Sequence, residues 1–266
     1  MAAKSRQAYY KTLTSYKKKI SETKSIVEKI QYLRSLHPKM GARKLQYVLA
    51  KFHDMKVGRD KLIKLLNENN LLVKRKRKIR YKFSACTTRS DNKIKNISIT
   101  QPGQVMLSDI TYLRTKSRDY FLSLVVDAYS RKIIGSNLSD SLAAASSIKA
   151  LEQAIEQSEY QYAIHHSDGG SQYTSKEYQN FLAKNNILPS MTKPASPQEN
   201  PIVERINGIL KHEYDLKQTF DSYQTMLLKT NLAIDIYNNI RPHWSLDLNI
   251  PTFVHLSKKL STNFRT

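Results

Sequence analysis

The chain has 266 residues, room for one catalytic-sized domain with small attachments. No run of about 18 apolar residues occurs and the first residues lack the charged, apolar, small-residue order of a leader, which sets aside a membrane span and makes the cytoplasm the expected compartment. A single cysteine, Cys86, excludes an internal disulfide and, without Cys or His partners at zinc spacing, a structural zinc site.

The net charge of +22 is unevenly spread: residues 1–100 hold 27 Lys and Arg against 6 acids, and residues 101–266 hold 17 against 16. A basic arm on a neutral body points to a polyanion held by one part while the other uses its acids. Nucleic acid is the expected partner. A membrane surface is set aside because no basic segment here pairs with a broad apolar helical face.

In chain order, residues 5–35 read as a weakly amphipathic helix. Ala42, Leu45, Leu49 and Phe52 follow helical spacing after Pro38, and Leu62, Leu65 and Leu66 mark a second short helix from near Val57. The polar turn His53-Asp54-Met55-Lys56 separates them, and Lys74-Arg75-Lys76-Arg77-Lys78 follows, the pattern of a helix-turn-helix with a basic tail. A helical hairpin with a solvated edge fits the same pattern. Within residues 1–83, Arg43, Lys44, Arg59, Lys74, Arg75, Lys76, Arg77 and Lys78 are the candidate DNA contacts.

Residues 84–100 have linker composition, and the period then changes. Val105 to Leu113 and Tyr120 to Val126 read as strands joined by a polar hairpin, and Lys132 to Ser136 as a third. Ala144, Ile148, Leu151 and Ile155 mark a helix, Tyr162 to His166 a strand, and Ser175 to Lys184 a helix. Ile187 to Met191 is a further strand, and a long helix opens near Asn200. A three-strand meander followed by alternating helices and strands describes a mixed α/β domain over residues 101–215, with residues 216–266 as a helical extension.

Three acids fall where an element ends or a turn exposes them. Asp109 interrupts the run Val105-Met106-Leu107, and an acid inside a strand is costly unless paired, hydrogen-bonded or bound to metal. Asp168 opens Asp168-Gly169-Gly170 at a strand's C-terminal end, where α/β sheets bind ligands. Glu204 shares a helix face with Asn200, Gly208 and Lys211, opposite the apolar stripe Ile202, Val203, Ile206, Ile209 and Leu210. Taken singly, each has a plainer reading: an edge-strand acid facing solvent, a turn cap and a solvated helix face.

Jointly they do not. Residues 169–203, 35 in all, lie between Asp168 and Glu204. With Asp109-Ile110-Thr111-Tyr112, His166-Ser167-Asp168-Gly169-Gly170-Ser171-Gln172-Tyr173 and Asn200-Pro201-Ile202-Val203-Glu204-Arg205, the chain resembles the retroviral-integrase-like transposases. More narrowly it resembles the second-frame (OrfB) product of the insertion-sequence-three family. Gly41-Ala42-Arg43-Lys44-Leu45, Asp127-Ala128-Tyr129-Ser130-Arg131-Lys132 and Tyr237-Asn238-Asn239-Ile240-Arg241-Pro242-His243 extend the resemblance over most of the chain.

The resemblance implies a ribonuclease-H-like catalytic domain that cleaves and joins strands of double-stranded DNA, with Asp109, Asp168 and Glu204 holding two Mg2+ ions, for which Mn2+ can substitute. It implies element terminal repeats and target DNA as substrates, a homo-oligomer on DNA, and a basic residue at Lys211 that reaches phosphate. Hard oxygen ligands suit Mg2+, and two such ions serve the attacking and leaving oxygens.

Two departures from the family pattern stand out: Met106 occupies a position where Trp is common, and Ser5-Arg6-Gln7-Ala8-Tyr9-Tyr10 resembles the end of a motif that begins upstream. The second points to fusion or cooperation with the upstream-frame product. The alternative function is a non-catalytic DNA-binding regulator of the same element.

Asp127 is expected to make an Asx turn or pair with Arg131 rather than bind metal. His165 and His166, adjacent on a strand, are expected to point to opposite faces and not to form a ligand pair.

Overall fold

The computed structural model describes residues 6–73, 91–193 and 199–263. Lys74, Arg75, Lys76, Arg77, Lys78 and Cys86 lie outside the described residues. The chain divides into two compact units, Met1–Arg77 and Lys78–Thr266.

The first unit is helical: α1 (Arg6–Leu36), α2 (Ala42–His53) and α3 (Arg59–Glu68). Its core joins Ile30 and Leu33 of α1 to Leu45, Val48 and Leu49 of α2 and Leu62 and Leu66 of α3. Only the C-terminal part of α1 contributes, and Tyr10, Leu13, Tyr16 and Ile20 are exposed. The turn is longer than its sequence suggests. Asp54 ends α2 in the left-handed conformation with its N–H on the Leu49 carbonyl, Val57 is buried in the core, and α3 starts at Arg59 after an extended Gly58.

The second unit is a mixed sheet flanked by helices, the α/β arrangement expected of a ribonuclease-H-like domain. In order, its elements are β1 (Val105–Thr115), β2 (Asp119–Asp127), β3 (Ile133–Ser139), α4 (Ala144–Glu156), β4 (Ile164–Ser167), α5 (Ser171–Thr174), α6 (Lys176–Lys184), β5 (Leu188–Met191), α7 (Pro201–Glu213), β6 (Thr219–Phe220), α8 (Tyr223–Asn239) and α9 (Pro251–Asn263). Strand order is β3-β2-β1-β4-β5: β1 to β3 form an antiparallel meander, and β4 and β5 run parallel to β1.

One edge of β1 is taken by β2 along most of its length. The other is shared: β4 pairs with residues 105–107 and β6 with residues 114–115. Between them the sheet splits, and α7 closes the gap.

The apolar side chains of α4, α5 and α6 converge with Met106, Val125 and Ile134 of the sheet. Each aliphatic side chain buried there contributes about 1.5–3 kcal/mol. Gly135 is required by this packing, since a Cβ there would stand 2.0 Å from the Ala150 carbonyl of α4. Residues 91–97 are not a free linker. The Met191 N–H donates to the Asp91 carbonyl, the Lys93 N–H to Ser190 Oγ at 2.9 Å, and Asn92 Nδ2 to Glu199 Oε2 at 3.0 Å, so this stretch is laid along β5.

The motif from Tyr237 to His243 is structural. Asn238 both donates to and accepts from the backbone of Ile133, and Arg241, buried, makes a two-pronged ion pair with Glu213 at the end of α7, each contact 2.9 Å.

Candidate active site

The site lies where β1 and β4 part. Their register pairs Leu107 with His166, so two residues further on Asp109, still within β1, and Asp168, just past β4, stand side by side. Asp109 is therefore on a central strand and partly buried, not on an edge facing solvent. Asp168, exposed just past β4, accepts the Gly170 N–H at 3.0 Å. Gly170 itself has an ordinary extended backbone, and a Cβ there would meet only the ends of the Gln172 and Asp168 side chains, at 2.4 and 3.0 Å. Glu204 stands in the first turn of α7, exposed, where the helix dipole favours an acid.

The three carboxylates act on one another. Burial, then repulsion from Asp168 and more weakly from Glu204, raises the Asp109 carboxyl to about 7, although hydrogen bonds from Asn207 and the Ile110 backbone oppose the rise. Burial and Asp168 raise Glu204 as well. Among the described residues no three acids, histidines or cysteines stand at the spacing one ion needs. The acids are grouped but not closed into a ligand shell.

An all-oxygen donor set whose members repel one another fits a hard divalent cation, which would relieve the repulsion. Lys211, two turns after Glu204 on α7, is half-buried; burial lowers its ammonium while the Asp109 charge works the other way.

The integrase core domain family matches residues 99–197, and a second integrase core domain family matches residues 185–251. An uncharacterized 31 kDa protein of insertion element IS600 from Shigella sonnei is 29% identical over 252 residues, 90% of each chain. A transposase of insertion sequence IS629 from the same species is 27% identical over 207 residues, 77% of this chain and 70% of that one. A putative transposase of IS986/IS6110 from Mycobacterium tuberculosis is 33% identical over 147 residues, about half of each chain.

Together the two matches span residues 99–251, so this chain carries an integrase core, and it is similar to these insertion-sequence proteins. A chain of the simian T-cell lymphotropic virus intasome shares the fold, with a TM-score of 0.51 at 17% identity over 86% of this chain and 74% of that one.

Other residues singled out in the sequence have structural roles. Asp127 is fully buried and accepts hydrogen bonds from Gly103 N–H, Ser130 N–H, Ser130 Oγ and Tyr162 Oη, with His255 Nδ1 3.7 Å away. Burial opposes its ionisation, but the nearby His255 and the hydrogen bonds from Ser130 and Gly103 outweigh that and hold its carboxyl below the ordinary range. The Asx-type turn is present. Arg131 does not form the expected pair and donates to the Ala128 carbonyl.

His165 and His166 do point to opposite sides: His165 Nε2 meets Ser108 Oγ and Tyr178 Oη, and His166 Nδ1 meets Ser190 Oγ. Burial and the neighbouring His166 lower His165 to about 3, so it is neutral.

In the helical unit Arg43 and Arg59 are exposed, the latter beside Asp60 at 3.1 Å. Lys44 is only 7% exposed, turned into the unit by the helical phase it shares with Leu45 and Val48, and it is not an open DNA contact.

Asn207 is a site residue that the sequence does not single out, and Asn200, placed on the Glu204 face, carries a contact that the sequence does not show. Asn207 donates from Nδ2 to Asp109 Oδ2 at 2.7 Å, and Asn200 donates to the Ser108 carbonyl at 3.1 Å. Gly208 had been placed on the Glu204 face. Residue 208 lies about 40° to one side of Glu204 and residue 207 about 60° to the other, and β1 is on the side of 207.

Proposed function

We propose that this transposase cleaves and joins double-stranded DNA at the ends of its element, with Asp109, Asp168 and Glu204 holding two Mg2+ ions, or Mn2+ in their place, and that within its family it is an insertion-sequence-three OrfB product. The observation that carries the reading is the raised Asp109 carboxyl among two further acids at a parting of parallel strands. A decayed core would be free to replace a buried acid that destabilises it, which disfavours the regulator alternative.

Bound there, two divalent cations supply activation of the attacking oxygen and stabilisation of the leaving one. The chain's own groups do the rest. Asp168, held by the Gly170 N–H, and Glu204 are both exposed where ions would bind, while Asp109 is fixed from α7. Lys211 holds a non-bridging phosphate oxygen beside them. Water breaks the first phosphodiester and frees a 3′-hydroxyl; that hydroxyl then bonds to a second phosphorus, in line, as the opposite oxygen leaves.

The basic residues of the first hundred positions, with Arg43 and Arg59 exposed among them, hold the terminal repeats, and two DNA ends held together call for a homo-oligomer on DNA, with the upstream-frame product fused or alongside. No described helix is long and apolar enough to cross a membrane.

The test is Mg2+-dependent cleavage and joining of a plasmid carrying the element's ends. Asp168→Asn and Glu204→Gln each remove a ligand charge at nearly constant shape and are expected to lose activity while binding end DNA as the wild type does. Appreciable cleavage by either variant would overturn the site.

A further inference from the structure

Helix α7 brings more to the site than a carboxylate. Asn200, Glu204, Asn207 and Lys211 are spaced four, three and four residues apart, a single stripe of a helix. The stripe faces β1, since Asn200 binds the Ser108 carbonyl and Asn207 binds the side chain of the next residue, Asp109.

Two features make these asparagines unusual. Both are buried, 5% and 6% exposed, and in each the side-chain oxygen has no hydrogen-bond partner among the described residues. A buried acceptor left unpaired costs about 1–3 kcal/mol, so an apolar side chain of the same volume would hold the helix at lower cost. Asn200 also sits at the helix N-cap, where an Asn oxygen ordinarily accepts a first-turn N–H, yet it makes no such bond and turns its amide to β1. What the two amides provide is donors aimed at adjacent residues of β1, one before and one after Glu204.

We propose that Asn207 is a positioning residue for the transposase reaction: from the helix that carries Glu204 it fixes the Asp109 carboxylate, and with Asn200 as the second point of attachment it sets the separation of the first and third acids. It does not touch substrate. The inference rests on the divalent-ion reading of the site. Cation affinity then depends on Asn207 although Asn207 is no ligand, and removing a hydrogen-bond partner of a ligating carboxylate typically costs about 10–100-fold in metal affinity or activity.

The experiment is a Mn2+ titration of the whole chain without DNA, followed by thermal stability, on wild type, Asn207→Leu, Asn207→Ala and Asp109→Asn. Leu keeps the volume without the donor, and Ala covers the case in which Leu does not pack. End cleavage is measured against Mn2+ in parallel. The expected result is a half-saturation point raised about 10–100-fold in the Asn207 variants, with cleavage recovering at high Mn2+ and the metal-free melting temperature within a few degrees of wild type. A wild-type half-saturation point in either folded variant overturns the proposal. So does a collapse of metal-free stability in both, which would make Asn207 a packing residue. If Asp109→Asn itself keeps the wild-type titration, the divalent-ion reading has failed instead, so the two failures are told apart.

Discussion

Replacing Asp109 by Asn should destroy activity and stabilise the metal-free protein. The carboxyl is raised from an ordinary 3.8 to about 7 by burial and by Asp168. That rise corresponds to a ceiling of about 4 kcal/mol against the ionised form, and local relaxation reduces it to about 1–4 kcal/mol. The sign follows from which state holds the proton. Between about pH 4 and 7 the folded chain keeps a proton on Asp109 that the unfolded chain has lost, so metal-free stability is highest at the acid end of that window and falls as pH rises through 7.

Asn has nearly the same shape, can accept from Asn207 through its own oxygen, and carries no charge to desolvate. At pH 8 without divalent ions the variant should melt above wild type, by roughly 2–4 °C for each kcal/mol recovered, and the difference should shrink toward pH 5. Calorimetry in a chelator at both pH values measures it. Adding Mg2+ should stabilise the wild type and leave the variant unmoved. A variant that melts at or below wild type at pH 8, or a gap that widens at pH 5, would refute the electrostatic account of the site.

Asp127→Asn should behave in the opposite way: it weakens a fully buried acceptor that serves four donors and faces His255, at a cost of about 2–4 kcal/mol, seen as a lower melting temperature with cleavage retained in the cold. It is thus a poor benign control for the triad, and Glu177→Gln on the exposed face of α6 is the better one. Lys211→Ala should slow cleavage and joining with little change in melting temperature, and Lys211→Arg should keep more activity; wild-type rates for the Ala variant would return Lys211 to a role as plain helix surface.

Much of this was legible in the sequence because the signals are local. The apolar β-rich run from Val105, the helical stripe Ala144, Ile148, Leu151, and the turn chemistry of Asp168-Gly169-Gly170 each survive into the fold, since each is set by neighbours close in the chain. The grouping of Asp109, Asp168 and Glu204 was legible only jointly, through their spacing. What escaped depends on neighbours that the local pattern does not name. Asn207 and Gly208 flank the Glu204 direction about equally, and the location of β1 decides between them. Lys44 is a cation in a basic segment, and only the packing of α2 shows it turned inward. Strand β6 has two residues and exists because β1 outruns β4.

The same dependence shows why the helical extension belongs with the catalytic unit and is not an appendage to it. Glu204 is useful only if α7 keeps its rotation, because about 100° per residue means a slip of one position would carry the acid away from Asp109. The N-terminal end of α7 is held by Asn200 on Ser108. Its other end is held by Glu213, whose partner Arg241 lies beyond α8 and is 1% exposed. A charge that deeply buried stays in place only when paired, so removing the extension leaves Glu213 without its guanidinium, and it also removes β6 from β1 and Asn238 from β3. A fragment ending at residue 215 would retain all three acids and lose the brace at one end of the helix that aims the third. The extension therefore braces the helix that carries Glu204, and a fragment without it is expected to melt lower than the whole chain.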